Sequence, residues 1–236
     1  MYTVSERWKD TYPGAAVGFL ALGDVTNPDH HLALDKQKAE LEDQLRAQYA
    51  GYDRAGLRAL PRLHAYHAYY KRFKKTYHVQ LQIESIVMKG KSIPREAALV
   101  EAMFMAELKN LLLTAGHDLG LVERPVGIEA ADGTERYVRI NGQEQQLKAD
   151  DMYIADAQGV LSSVIYGPDQ RARIQTGTEQ VLFTVYAPPG IGEKAVREHL
   201  DDIRANVLTF APEAELISLE VLGTGEDGHR QTVKQK

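Results

Sequence analysis

His117 and Asp118 set an imidazole beside a carboxylate just after the most apolar stretch of the chain. A polar pair at a helix end can line a pocket and orient a water or a hydroxyl group, because the last carbonyls of a helix lack partners. The same pair also suits plain capping, with Asp118 closing the next turn and His117 meeting the free carbonyls. Asp169 ends the run Ile165-Tyr166-Gly167-Pro168-Asp169, where it reads either as a pocket carboxylate or as half of a Pro-Asp turn. Glu101 stands near the start of the apolar stretch, a place where the helix dipole favours any carboxylate. Seven cations (Lys71, Arg72, Lys74, Lys75, Lys89, Lys91 and Arg95) fall between positions 71 and 95, with Tyr69, Tyr70 and Tyr77 interleaved. Such a cluster can hold phosphates while its rings stack on bases, or it can be a solvated helix face.

Other chemistries find no support. His64-x-x-His67 has metal-ligand spacing on a helix, yet no carboxylate follows at a ligand distance, so no metal is expected. The patterns GxxxxGK[ST] and GxSxG are absent, and the one GxGxxG, Gly223 to Gly228, opens the polar tail with no helix pattern after it, which leaves no phosphate loop, dinucleotide fingerprint or serine elbow, and no cofactor is expected. With 0 cysteines, the chain has no disulfide, thiol nucleophile or thiolate metal site.

The elements that must position these groups follow from periodicity. The small apolar run from Tyr12 to Leu22 suits a buried strand, broken by Gly23-Asp24 and Asn27-Pro28. Asp29 is a plausible N-cap for a helix reaching about residue 49. Leu34, Leu41, Leu45 and Tyr49 form its stripe, with Glu40 and Glu42 beside Lys36, Lys38 and Arg46 on the wet side. Arg54 to Leu60 suits a short helical turn, and Pro61 fits the first position of a further helix carrying Leu63, Tyr66, Tyr70 and Phe73. Val79 to Ile86 fits both strand and helix patterns. Leu99 to Leu113 is apolar nearly all round and reads as a central buried helix, stopped by Gly116 and packed on the strands that follow.

From Leu121 the texture becomes β-prone. The runs Val126–Ile128, Tyr137–Ile140, Met152–Ala155, Val160–Tyr166 and Val181–Tyr186 alternate with Asp132-Gly133, Asn141-Gly142, Gly159 and Gly167-Pro168, a spacing of antiparallel hairpins. Glu193 to Leu208 is amphipathic, with Val196, Leu200, Ile203 and Val207 on one face, and Leu216 to Leu222 reads as a last strand. No linker or repeat interrupts residues 1–222, which reads as one domain, and the polar residues 223–236 read as a disordered tail.

The 236 residues carry a formal charge of −5, but unevenly. Residues 1–118 hold 16 Lys and Arg against 14 Asp and Glu, and residues 119–236 hold 12 against 19. That excludes a basic coat over the whole molecule and leaves room for a local phosphate patch. No run approaches the length of a membrane span and no secretory leader pattern is present, so a cytoplasmic protein without membrane contact is expected.

The order Gly90-Lys91-Ser92-Ile93-Pro94, Leu99-Val100-Glu101, Gly116-His117-Asp118, Asp151 to Asp156, then Ile165 to Asp169 resembles the B3/B4 editing domain of the bacterial phenylalanyl-tRNA synthetase beta subunit. It is closer still to freestanding proteins made of that domain alone, over roughly residues 10 to 222. The resemblance implies an α+β layered sandwich, a mixed and mainly antiparallel sheet packed against helices, and it favours a helix over a strand at Val79 to Ile86. It implies tRNA as partner, with no DNA, and hydrolysis of a mischarged aminoacyl ester rather than a complete ligase. His117 and Asp118 would be catalytic, although His117 stands two places after the family histidine. Glu101, Phe104, Tyr166, Asp169 and Thr178 would contact the substrate. Glu101 replaces a family Asp and Phe104 a family Asn, while Asp169 is one methylene shorter than the family Glu that reads a tyrosine hydroxyl. The seven cations would contact tRNA. A non-catalytic tRNA or RNA binder and a free amino-acid binder are the alternatives, and neither the amino acid nor the oligomeric state is legible.

Overall fold

The computed structural model describes residues 2–224. In chain order the elements are β1 (Tyr2–Val4), α1 (Glu6–Thr11), β2 (Ala16–Gly23), α2 (Leu32–Gln48), α3 (Arg54–Arg58), α4 (Pro61–Arg72), α5 (His78–Lys89) and α6 (Ala98–Asn110). There follow β3 (Leu113–Asp118), β4 (Val126–Ala130), β5 (Arg136–Val138), β6 (Glu144–Gln146), β7 (Met152–Asp156), β8 (Gly159–Ser163), β9 (Gly167–Pro168), β10 (Val181–Ala187), α7 (Glu193–Leu208) and β11 (Glu215–Gly223). The chain is α+β, with helices packed on sheets that are antiparallel except for one parallel pair, β1 on β4.

One sheet runs β11-β2-β10-β3, all antiparallel. Every residue of β2 is buried, which explains its unbroken apolar run: both faces of the strand are covered. On one face lies α7, whose Val196, Leu200, Ile203 and Val207 are all fully buried. The approach is close enough that a Cβ at Gly18 would sit 2.5 Å from Val196 Cγ1. The other face meets the second sheet, β1-β4-β7-β8-β9. Tyr2 of β1 stacks on Phe19 of β2 at 4.2 Å, and Ser162 of β8 bonds both His117 of β3 and Tyr186 of β10. Strands β5 and β6 form a separate hairpin around Asn141-Gly142, with Gly142 at φ 80°.

Several expectations need correction. Helix α2 begins at Leu32 with His31 as its N-cap, so Asp29 caps nothing, and Lys38 and Glu42 are buried rather than wet. The helix that the resemblance favours over a strand at Val79 to Ile86 is present, spanning residues 78–89 with Val79, Ile83 and Ile86 in its buried stripe. The central helix ends at Asn110, not Leu113: Leu111 turns left-handed at φ 57°, and Leu113 to Asp118 become a strand. Gly116 is therefore a strand residue and not a helix stop. Helix α6 is mostly buried, but it packs on α7, β3, α2 and α5, whereas most of the 126–163 strands build the opposite sheet. The strand expected over Val160–Tyr166 stops at Ser163. Gly223 closes β11, and the rest of the expected tail, 225–236, lies outside the described residues.

Candidate functional site

Val100, Met103, Phe104 and Glu107 recur along α6 at i, i+3, i+4 and i+7, so they share one helix face. That face does not close on a neighbour. It forms one wall of a cavity of about 400 Å³. Leu113 to Gly116 of β3 form the next wall, and the segment Ser163–Pro168 a third. His78 and Gln82 of α5, together with Arg173 and Ile174, complete much of the lining, with His78 exposed. A largely apolar hollow with a few polar groups is the usual form of a small-molecule site.

Gly116 gives this shape its room. A Cβ there would stand 2.6 Å from Ile174 Cδ1 and 3.5 Å from Met103 Sδ, so a side chain enters between the walls only if the end of Ile174 moves.

Glu107 is the unexpected member. It is 1% exposed, and its Oε1 accepts the Thr114 amide at 2.7 Å, tying the end of α6 to the start of β3. Its Oε2 is buried without a protein partner. Burial pushes the carboxyl up to about 8, opposed by the Thr114 hydrogen bond. Sequence reasoning passed over it as one of the few polar residues of an apolar helix. The available signal was its spacing, which puts it on the stripe of Val100 and Phe104.

Of the residues expected to act on substrate, Phe104 and Tyr166 line this cavity. His117 and Asp118 do not. Their strand turns successive side chains to opposite faces, so His117 points toward the second sheet. It is fully buried, its Nε2 lies 3.0 Å from Ser162 Oγ, and burial, then Arg171, lowers its pKa to about 4. The neutral ring reaches the cavity only through Ser162, which bonds the lining residue Tyr186. Asp118 caps the short 3-10 turn Leu119–Leu121, accepting from Gly120 N at 3.0 Å and from Thr178 Oγ1 at 2.8 Å. Thr178 is thereby joined to Asp118 beside a different, shallower depression.

Glu101 and Asp169 are also elsewhere. Glu101 is buried against Lys38 and accepts the Glu96 amide. Asp169 accepts the Ala172 amide at 3.1 Å and lies 3.5 Å from Arg171 Nε, and burial raises its pKa. It borders a smaller hollow of about 220 Å³ with Arg136, Tyr137 and Arg171.

The cations do not form a single patch. Lys71, Arg72, Lys74 and Lys75 gather at the end of α4 and just before α5, beside His78 of the cavity lining. Lys89 ends α5, about 17 Å along a helix of this length, and Lys91 and Arg95 lie past it. Arg72 is held by Asp150 and the Tyr12 ring, and Arg95 by Asp35. The stacking role expected for Tyr69, Tyr70 and Tyr77 fails, because all three are buried. Tyr69 donates to Asp151, Tyr70 to the Val164 carbonyl, and Tyr77 stacks on Tyr66 at 4.2 Å. Tyr69 and Tyr70 lie on the buried side of α4, and Tyr77, just before α5, packs back against that helix.

Among the described residues no group of three or more His, Asp or Glu could hold a metal ion, and no helix is long and apolar enough to cross a membrane.

No protein-family model and no curated protein matches the chain. Among solved structures it is similar to an N-terminal fragment of the phenylalanyl-tRNA synthetase beta subunit from Pyrococcus horikoshii, at a TM-score of 0.48 and 13% identity. That match covers 92% of this chain and 50% of the other, so the chain spans about half the length of the fragment.

Proposed function

We propose that this protein binds aminoacylated tRNA, takes the esterified amino acid into the cavity between α6 and β3, and hydrolyses the ester. One observation carries the reading. Three separate stretches that resemble the editing domain bring Val100, Gly116 and Ile165 to Pro168 together on this one cavity. Apolar walls of this kind suit an apolar side chain, and the exposed Lys74 and Lys75, four and three positions before His78 of the lining, offer cations for the tRNA backbone.

An aminoacyl ester is already activated, so the chemistry needs a positioned water more than a strong nucleophile. His117 acts in this scheme as a positioning residue, holding Tyr186 through Ser162, and Asp118 with Thr178 fixes the turn behind β3. Selection of one amino acid over another follows from the shape of the walls, where a single methylene is worth about 1–3 kcal/mol.

Arg173 favours a second reading, a free amino acid whose carboxylate meets that guanidinium in the same cavity. A panel of mischarged tRNAs, including those carrying small and branched aliphatic residues, decides between them. Hydrolysis above the spontaneous rate for at least one tRNA is expected. Binding of free amino acid with no tRNA affinity at low salt would establish the second reading instead.

A further inference from the structure

The structural task of the Glu107 carboxyl, tying the end of α6 to the start of β3, occupies only one of its two oxygens. Its Oε1 receives one backbone amide, which any acceptor at that place would satisfy. Its Oε2 receives nothing, although buried polar atoms are ordinarily paired and leaving one unpaired is costly. The Tyr66 and Tyr77 hydroxyls are committed elsewhere: Tyr66 donates to the Tyr186 carbonyl and Tyr77 to the Leu111 carbonyl. A second orphan stands on the same lining, since Gln82 Oε1 is also buried and unpartnered. Two residues with an unfilled oxygen therefore line one apolar cavity.

Burial alone keeps the Glu107 carboxyl protonated at neutral pH, so a ligand that ionises it must bring a cationic donor, and it must bring an apolar body for Val100, Met103, Phe104, Ile165 and Ile174. A primary ammonium carries three donors and no acceptor. Against a carboxylate shielded from water its attraction is far stronger than in solution, and the paired charge removes the cost of leaving Glu107 ionised and alone.

We propose that Glu107 is the ammonium receptor of the cavity, binding the free α-amino group of an aminoacyl ligand with an apolar side chain. The inference deepens the aminoacyl reading and rests on it for the ligand class. It adds a selection rule: amines that are blocked or missing are refused, whatever the side chain.

The test uses stable amides in place of esters. Wild-type protein is titrated with L-valinamide, L-leucinamide and L-phenylalaninamide, and with their counterparts lacking the amine (isovaleramide, isocaproamide and hydrocinnamamide). At least one aminoacyl amide is expected to bind about 10- to 100-fold more tightly than its counterpart, the range for a hydrogen bond to a charged group. Glu107→Gln keeps an acceptor for the Thr114 amide and is expected to erase that preference while leaving the amine-free amide unchanged. Equal binding of both amides to wild type overturns the proposal, as does a Glu107→Gln protein that still prefers the amine, or no binding by any amide. The wild-type comparison stands even where the variant fails to fold. Failure here is separable from failure of the hydrolase reading. A mischarged tRNA hydrolysed equally with and without N-acetylation sinks the Glu107 role alone. Amine-dependent amide binding without tRNA hydrolysis upholds Glu107 and sinks the hydrolase.

Discussion

Lys38 of α2 and Glu101 of α6 form an ion pair with side chains only 9% and 4% exposed, pinning the two helices together below the wet surface. Asp35 adds a second carboxylate 3.3 Å from the same ammonium. The pair is structural, and it removes Glu101 from the cavity wall.

Breaking this pair from one side strands a buried charge, so Lys38→Met is expected to cost about 3–5 kcal/mol, and Lys38→Met with Glu101→Leu much less. Chemical denaturation of the single and double variants measures the difference. If Lys38→Met alone melts like wild type, the pair contributes nothing to holding α2 on α6.

Glu107 should write itself into the pH dependence of stability. Its folded pKa is raised from 4.5 to about 8, so between those values the folded state holds a proton that the unfolded chain has lost. Its contribution is complete below pH 4.5 and disappears as pH rises toward 8. Glu107→Gln removes this slope. The melting temperature of the variant relative to wild type is therefore expected to rise by several degrees between pH 5 and pH 9. His117, lowered from 6.5 to about 4, acts with the opposite sign and in a more acidic window, where stability is lost as pH falls. A constant difference between variant and wild type across that range would place the Glu107 carboxyl in a much wetter environment.

Gly116→Ala should narrow the cavity, because the added Cβ meets Ile174 Cδ1 at 2.6 Å. Overpacking of this kind costs about 1–3 kcal/mol. Loss of ligand binding is expected along with it, and Ile174→Ala in the same chain is expected to restore both stability and binding. Calorimetry of the single and double variants follows each quantity. If the double variant binds no better than Gly116→Ala, the space beside Ile174 is not the binding space.

How far the residues announced this arrangement varied with the kind of signal. Helix α7 was legible to its ends, because an apolar stripe beside a polar face has one solution. The Asn141-Gly142 hairpin was legible from turn chemistry. The end of α6 was not. Leu111, Leu112 and Leu113 continue the apolar run without a break, and only tertiary partners stop the helix there. The Leu113 amide is taken by the Tyr66 hydroxyl and the Thr114 amide by Glu107, neither of which can be read locally. That slip carried His117 from a supposed helix end to a buried strand position, and with it the expected centre of the site. The cavity was partly legible through Phe104 and Tyr166. Its charge was hidden in Glu107, since spacing marks a face of a helix without saying whether that face is filled.

Lys74 and Lys75 give the sharpest test of the nucleic-acid half of the reading, because the structure divides the cations into two groups. Both lysines are exposed, and they lie three or four positions before His78 of the cavity lining. Lys89 and Lys91 are equally exposed but sit at and just beyond the other end of α5. If tRNA delivers its aminoacyl end to the cavity, the first pair should carry the phosphate contacts. Lys74→Ala with Lys75→Ala is then expected to weaken tRNA binding and reduce the salt slope by about one unit per lost contact, whereas Lys89→Ala with Lys91→Ala changes it less. Filter binding or fluorescence titration from low to moderate salt gives both slopes. An unchanged slope for the Lys74 and Lys75 variant would move the nucleic acid away from the cavity, and a larger loss from Lys89 and Lys91 would put its path along the opposite end of α5.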